Sequence, residues 1–383
     1  MFQLLERVSS LFDKDASQLS GVNLVVRSEY PDITFFGGVE EEIDEIISGE
    51  VTLEVDEDEV FITSLDVKLN LHISYKRPFK PHCHRCRYRT SQLQSCQLLN
   101  KQASFARGKH LFPFVVSLNG RNPTSTENSL IAVKYEITAE AKIAHEKSGT
   151  LGTMVADSPI IVKRALSLPE TPQHPIRTVD SGRTSAQYHS IIHPVETNRF
   201  TFEFDGLGDT GETGASRTWE LRKVTWLLME ETNLRAPACD KHRPSTAAEG
   251  DWNAEMRTRD TQILSDGVLQ NDWTPGRTNS NVKMEFEYTT DSQVSKSGEL
   301  WHASNSRWPG GARISHYLVL WLYLSLGDER ESKAGQKSTG INDRFRRLSY
   351  DIEISDHVDK DAHFGGEAPP LYGTVCHGPP VYT

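Results

Sequence analysis

The sequence predicts an all-β protein built from antiparallel sandwiches, and three observations predict it. Period-two alternation of apolar and polar residues recurs along the chain, helix-period patterns are scarce, and Gly, Pro, Asn and Asp separate the alternating runs. The longest run sets Leu65, Val67, Leu69, Leu71, Ile73 and Tyr75 against Asp66, Lys68, Asn70, His72 and Ser74, which is a half-buried strand. Phe200, Phe202 and Phe204 form a second apolar face, and Val224, Trp226 and Leu228 a third. Val282, Met284, Phe286 and Tyr288 follow, then Leu348, Tyr350, Ile352 and Ile354. The continuous apolar run Ile314 to Leu326 reads as a strand buried on both faces. Met1 to Phe12 has the spacing of a short amphipathic helix, with Phe2, Leu5, Val8 and Phe12 near one face.

The 383 residues suffice for two or three domains. No stretch approaches eighteen consecutive apolar residues, and Met1 to Lys14 lacks the charged head and apolar stretch of a secretory signal. Five unevenly spread cysteines argue against a disulfide framework and for a reduced, cytosolic chain. Three prolines between Pro169 and Pro175 form a stiff linker. The expected organisation is an N-terminal extension over 1–20, one sandwich over 21–168, a linker over 169–176, a second sandwich over 177–357 and a disordered tail over 358–383. Arg235 to Arg259 and Ser292 to Arg313 read as polar loops of the second sandwich.

The tail carries the most specific motif. Pro369-Pro370-Leu371-Tyr372 and Pro379-Pro380-Val381-Tyr382 are both PPxY. Paired prolines hold polyproline II without a fold, so little entropy is lost when an aromatic groove takes the prolines and a neighbouring pocket the tyrosine. This is the ligand format of WW domains. The short spacer Gly373 to Gly378 keeps both copies available to a partner with several such domains. The plainer reading is a proline-rich tail without a partner, against which the doubling argues.

The net charge of −11 conceals an asymmetry. Val67 to Thr126 contains no Asp or Glu and eleven basic residues, Lys76, Arg77, Lys80, Arg85, Arg87 and Arg89 among them; the window carries +11, so the remainder carries −22. The window is either a solvated basic face or a patch for acidic partners such as lipid headgroups, acidic cytosolic tails or phosphorylated segments. Nucleic acid is disfavoured, because the acidic remainder would repel it and no recognition motif accompanies the patch.

Nucleophile elbows, P-loops, H-E-x-x-H and dinucleotide fingerprints are absent, so the sequence does not point to an enzyme. Two short cysteine motifs stand out: Cys83-His84-Arg85-Cys86, a C-x2-C, and Cys239-Asp240-Lys241-His242, a C-x2-H. Each supplies half of a four-ligand site, with His82, His84 and Cys96 as alternative donors. The competing reading is a set of thiols in two loops.

Several segments resemble fungal α-arrestins, the arrestin-related trafficking adaptors. His110-Leu111-Phe112-Pro113-Phe114-Val115-Val116-Ser117-Leu118, then Asn122-Pro123-Thr124-Ser125 and Val133-Lys134-Tyr135-Glu136-Ile137-Thr138-Ala139, is similar to the core of that family's N-terminal lobe. Ile160 to Ala165 resembles its closing strand; Trp219 to Trp226 and Ile314 to Val319 resemble segments of the second lobe. The resemblance implies two arrestin-like, immunoglobulin-like sandwiches without catalytic residues. It implies a cytoplasmic adaptor, recruited to plasma membrane and endosomes, that brings a WW-domain HECT-type ubiquitin ligase to the cytosolic tails of membrane transporters and so promotes their endocytosis. Peripheral contact with anionic membrane would accompany this. The alternative is an arrestin-like sorting scaffold without ligase recruitment. In such a fold both cysteine loops face the seam between lobes, so Cys83, Cys86, Cys239 and His242 could form one structural zinc site.

Overall fold

The structure, a computed structural model, describes residues 21–38, 43–144, 151–166, 169, 171–179, 182–194, 196–205, 208–210, 216–243, 255–270, 273–275, 281–290, 306–307, 311–327 and 343–355. The expected N-terminal helix and the PPxY tail lie outside these residues. The described residues are nearly all strand and contain one helix, the four-residue α1 (His84–Arg87). The described residues divide into two compact units, one within 21–127 and 131–163, the other within 128–130 and 164–355.

The first unit contains β1 (Val22–Ser28), β2 (Asp32–Phe36), β3 (Glu45–Tyr75), β4 (Tyr88–Leu99), β5 (Ala103–Leu118), β6 (Thr126–Glu127), β7 (Ile131–Ala144) and β8 (Leu151–Ala165). β3 organises it by changing partners along its 31 residues. Its first part pairs with β1 and β5, its second with β4 and β7. The change falls where the register with β5 shifts between Val55 and Glu59. There Asp56, Glu57, Asp58 and Glu59 are all exposed, an interruption of the alternation that lets the strand bend while its carboxylates stay hydrated. On either side the alternation resumes, burying Val51, Leu53 and Val55 and then Leu65, Val67 and Leu69. Three of the segments that carry the resemblance to the N-terminal lobe meet in this unit. Tyr135 Oη donates to the Pro123 carbonyl, the Ser125 amide donates to Val162 O at 2.7 Å, and the Val162 amide to Ser125 Oγ at 2.9 Å.

The second unit contains β9 (Ile176–Val179), β10 (Gly182–Tyr188), β11 (Ile191–Ile192), β12 (Asn198–Asp205), β13 (Gly208–Thr210), β14 (Ser216–Pro237), β15 (Glu255–Leu269), β16 (Trp273–Pro275), β17 (Asn281–Tyr288), β18 (Ser306–Arg307), β19 (Arg313–Gly327) and β20 (Asp343–Ile354). One sheet runs β16-β17-β12-β10-β9; the other runs β11-β20-β19-β14-β13, with β15 beside β14 and β18 beside β19. Phe200, Phe202, Met284 and Phe286 from the first sheet share a core with Val224, Trp226, Leu320, Tyr350 and Ile352 from the second. β19 buries Ile314, Ser315 and His316 in succession and Leu318 to Leu320 likewise, then alternates from Leu320 to Leu324. It lies between β14 and β20, which is why its sequence is apolar on both faces. The polar stretch 235–259 is less of a loop than its composition suggests. β14 runs to Pro237 and β15 begins at Glu255, with Arg235 opposite Arg257, because an exposed strand pair tolerates charge on both sides. Part of the proline segment is also ordered against the sheet, since Gln173 and Tyr188 exchange backbone hydrogen bonds at 2.7 and 3.2 Å.

A buried polar network lies within the second unit. Glu230 and His316 face each other across β14 and β19, and His316 Nε2 is 3.4 Å from Glu230 Oε2. Asn128 Nδ2 donates to Glu230 Oε1 at 3.2 Å and to Thr232 Oγ1 at 2.8 Å. Burial works to raise the Glu230 pKa; the imidazole and the Asn128 and Thr232 donors outweigh it and hold the carboxyl below its usual range. A depressed carboxyl pKa contributes stability that is present above the unfolded value, near 4.3, and is lost as pH falls from there through the folded value. His316→Ala removes the facing imidazole from a buried carboxylate, leaving only the Asn128 and Thr232 donors, and is expected to cost about 3 kcal/mol near neutral pH. Thermal melts of wild type and variant should therefore converge as pH drops below about 4. Parallel pH profiles would rule the pair out as the source.

Candidate metal centre

The first half-site follows β3. After Tyr75 the chain passes Pro78 and Pro81, turns at Cys83 and enters α1. Cys83 has extended dihedrals (φ −97°, ψ 116°), and its side chain makes no capping hydrogen bond. Its carbonyl accepts the amides of Cys86 at 3.2 Å and Arg87 at 3.1 Å. This turn puts two sulfurs three residues apart on one side of a short loop. Cys83 is half-buried and Cys86 buried. Arg87 Nη2 donates to Pro81 O at 3.0 Å and closes the loop, and the His84 ring packs 4.8 Å from Tyr88.

The second half-site follows β14 and repeats the same backbone turn. Cys239 O accepts the amides of His242 at 2.8 Å and Arg243 at 2.9 Å. Cys239 Sγ lies 3.3 Å from His242 Nδ1. Two ligands of one tetrahedral zinc, at about 2.3 Å for sulfur and 2.0 Å for nitrogen, stand roughly 3.5 Å apart. The pair is therefore set at chelating distance. Cys83 with Cys86 in the first unit, and Cys239 with His242 in the second, are thus two half-sites of two candidate metal donors each. The alternative donors differ in setting. Cys96 is buried within β4 opposite Val67, and His82 and His84 are exposed.

Lys76, Arg77, Lys80, Arg85, Arg87 and Arg89 are all exposed, around and just after the first half-site. Acids from outside the basic window neutralise part of it: Lys68 pairs with Glu140, Lys76 with Glu127 at 3.4 Å, and Arg107 with Asp58 at 3.8 Å. Among the described residues no ion pair engages Arg77, Lys80, Arg85, Arg87 or Arg89. Ion pairing thus lowers the free positive charge of the window below the sequence count. What sequence reasoning missed is the Glu230–His316–Asn128 network, for which no local spacing exists.

Residues 65–246, a little under half of the chain, match the family model LDB19, described as arrestin N-terminal like. The matched span contains both half-sites. A Protein LDB19 of Eremothecium gossypii is 27% identical over 235 residues, which are 58% of this chain and 34% of that protein. The Saccharomyces cerevisiae Protein LDB19 is 24% identical over 212 residues, 48% of this chain and 25% of that protein. Over this span the chain is similar to fungal arrestin-related proteins. An uncharacterized protein of Schizosaccharomyces pombe aligns with this chain at 22% identity over 364 residues, covering 94% of each. By contrast, the chain spans about a third of the Eremothecium LDB19 protein and a quarter of the Saccharomyces one. Among the described residues, no helix is long and apolar enough to cross a membrane.

Proposed function

We propose that this arrestin-related protein is a non-enzymatic adaptor that recruits a WW-domain HECT-type ubiquitin ligase to plasma-membrane transporters and so promotes their ubiquitination and endocytosis. The observation that carries the reading is the PPxY pair, Pro369-Pro370-Leu371-Tyr372 and Pro379-Pro380-Val381-Tyr382, on an arrestin-related chain. Two WW ligands separated by a six-residue spacer suit a ligase with several WW domains. The proposal places the sandwiches at 21–168 and 177–357, joined by 169–176, with the tail at 358–383. The protein would work in the cytoplasm and move to plasma membrane and endosomes with its cargo. One structural zinc ion, held by Cys83, Cys86, Cys239 and His242, belongs to the same reading. The test is whether a candidate transporter is ubiquitinated by such a ligase only when this chain is present with its PPxY tail intact. Equal ubiquitination without the tail would favour the alternative, a sorting scaffold that recruits no ligase.

The exposed cations Arg77, Lys80, Arg85, Arg87 and Arg89 support a second contact, with anionic membrane or acidic transporter tails. Each cation close to an anionic surface contributes on the order of 1 kcal/mol, and salt screens the attraction over about 10 Å at 0.1 M. Charge reversal at Arg85, Arg87 and Arg89 should therefore weaken sedimentation with phosphatidylserine vesicles or binding to acidic tail peptides by at least tenfold. Raised salt should reproduce the loss in the wild type. Salt-insensitive binding, unchanged by the reversal, would make the window an ordinary solvated face.

A further inference from the structure

We propose that the amphipathic segment Met1–Phe12 packs as a helix on the outer face of the layer β1-β3-β5 in the first unit, covering Ile46, Leu111 and Val115. β5 carries the first observation. It reads Leu111-Phe112-Pro113-Phe114-Val115-Val116, apolar on both faces like a strand covered from both sides. Among the described residues only one side is covered. Phe114 and Val116 are buried with Ile47, Val51 and Leu53 of β3, whereas Leu111 is 52% and Val115 50% exposed. Ile46 stands opposite Ser117 and Ser48 opposite Val115, so Ile46, itself 47% exposed, shares the outer face with Leu111, Pro113 and Val115. The free edge of β5 is poorly suited to a further strand. The Ser117 amide donates to Gln94 Oε1, and Pro113 has no amide to give. The occupant of this face therefore covers it with side chains of its own, as an amphipathic helix does.

The chain carries such a helix beside the patch. At about 100° per residue, Met1, Leu4, Leu5, Val8, Leu11 and Phe12 fall within an arc of about 120°, and Gln3, Glu6, Arg7 and Ser10 fall outside it. A helix of this length is marginal alone in water, so its apolar arc needs a surface. The entry point is fixed on the same layer. Gly21 O accepts the Asp56 amide at 2.7 Å, and β1 begins at Val22. Val22 stands opposite Val55, and Val55 opposite Gly108, three residues before Leu111. Two strand spacings and three residues of β5 amount to roughly 14 Å. Residues 13–20 extend to about 28 Å, enough to carry the helix over the patch. The sizes also agree: the helix is about 18 Å long, and β5 from Leu111 to Ser117 runs about 20 Å. The contact is expected whether or not the PPxY tail binds a ligase.

The test uses the full chain with photoreactive benzoylphenylalanine in place of Val8. Irradiation should link this position to Ile46, Leu111, Pro113 or Val115 of the same chain, read by mass spectrometry of the digest. Hydrogen exchange gives a second readout. Amides of residues 4–12 should exchange at least tenfold more slowly in wild type than in Leu111→Asp with Val115→Asp. Those two changes touch exposed side chains and should leave the melting temperature of the core within a few degrees. Leu5→Asp with Val8→Asp should release the same protection from the helix side. Should the strand variant unfold, the cross-link in the otherwise unaltered chain decides. Cross-links that land elsewhere overturn the proposal, as does equal exchange in wild type and in a folded strand variant. Cross-links between two chains would make a second copy the occupant, and protection of residues 4–12 only with phosphatidylserine vesicles would make it a membrane; either result overturns the proposal.

Discussion

Tyr372→Ala combined with Tyr382→Ala should abolish binding of the full chain to a tandem WW-domain protein. In each PPxY the tyrosine ring fills its own pocket while the prolines lie in the aromatic groove, so its removal leaves only the weaker half of the contact. Between Tyr372 and Pro379 the chain can extend at most about 25 Å, so both motifs stay within reach of one tandem partner and the second engagement is effectively intramolecular. Avidity of this kind multiplies affinity by roughly 10²–10⁴. Either single change should therefore weaken capture by a tandem partner by about that factor, while changing affinity for an isolated WW domain no more than about twofold. The double change should leave no saturable binding by titration calorimetry. A double variant that binds like wild type would remove the basis of the proposed adaptor function. Single variants that lose nothing against the tandem partner would confine recognition to one motif.

Phe200→Ala should produce the largest loss of stability of any single change in the second unit's core. Its side chain is fully buried, and its ring meets Tyr188 at 5.6 Å, Phe286 at 5.3 Å and Tyr350 at 5.0 Å. Those partners come from both sheets, so truncation opens a cavity where the layers meet. Phe-to-Ala changes in cores cost about 3–5 kcal/mol, and each lost aromatic pair adds roughly 0.5–1.5 kcal/mol to the area term. The upper part of the range is expected, read as a fall of 10 °C or more in the unfolding of this unit. Phe204→Leu, nearer the end of the same strand and 4% exposed, should cost under about 2 kcal/mol. Equal effects at the two positions would mean that the aromatic cluster contributes nothing beyond its volume.

Much of this protein could be read from local pattern. The period-two runs at 65–75, 198–205, 281–288 and 343–354 are strands, and the faces expected to be buried are buried apart from the half-buried Ile73. That success has a simple cause: side chains alternate between faces along any strand, so burial of one face imprints period two on the sequence whatever the strand pairs with. The C-x2-C and C-x2-H spacings were visible for a similar reason, since a single turn sets the relative position of residues three apart. The PPxY pair is likewise a local pattern, outside the described residues.

What the sequence alone determined, then, is where the long alternating strands lie, which face of each turns inward, and which short segments have the spacing expected of metal or WW-domain ligands. Only the tertiary structure decided what lies opposite what. It set the change of partners along β3 at the exposed acids 56–59. It brought Glu140 to Lys68 and Glu127 to Lys76, reducing a basic window whose charge no composition count could discount. It placed the Trp226 indole so close over Gly267 that a Cβ there would lie 2.6 Å from the ring. It also joined Asn128, Glu230 and His316, residues far apart in sequence, into one buried network. Strand pairing over tens or hundreds of residues depends on the whole chain's packing, and the free energy of each such contact is absent until the partner strand is in place.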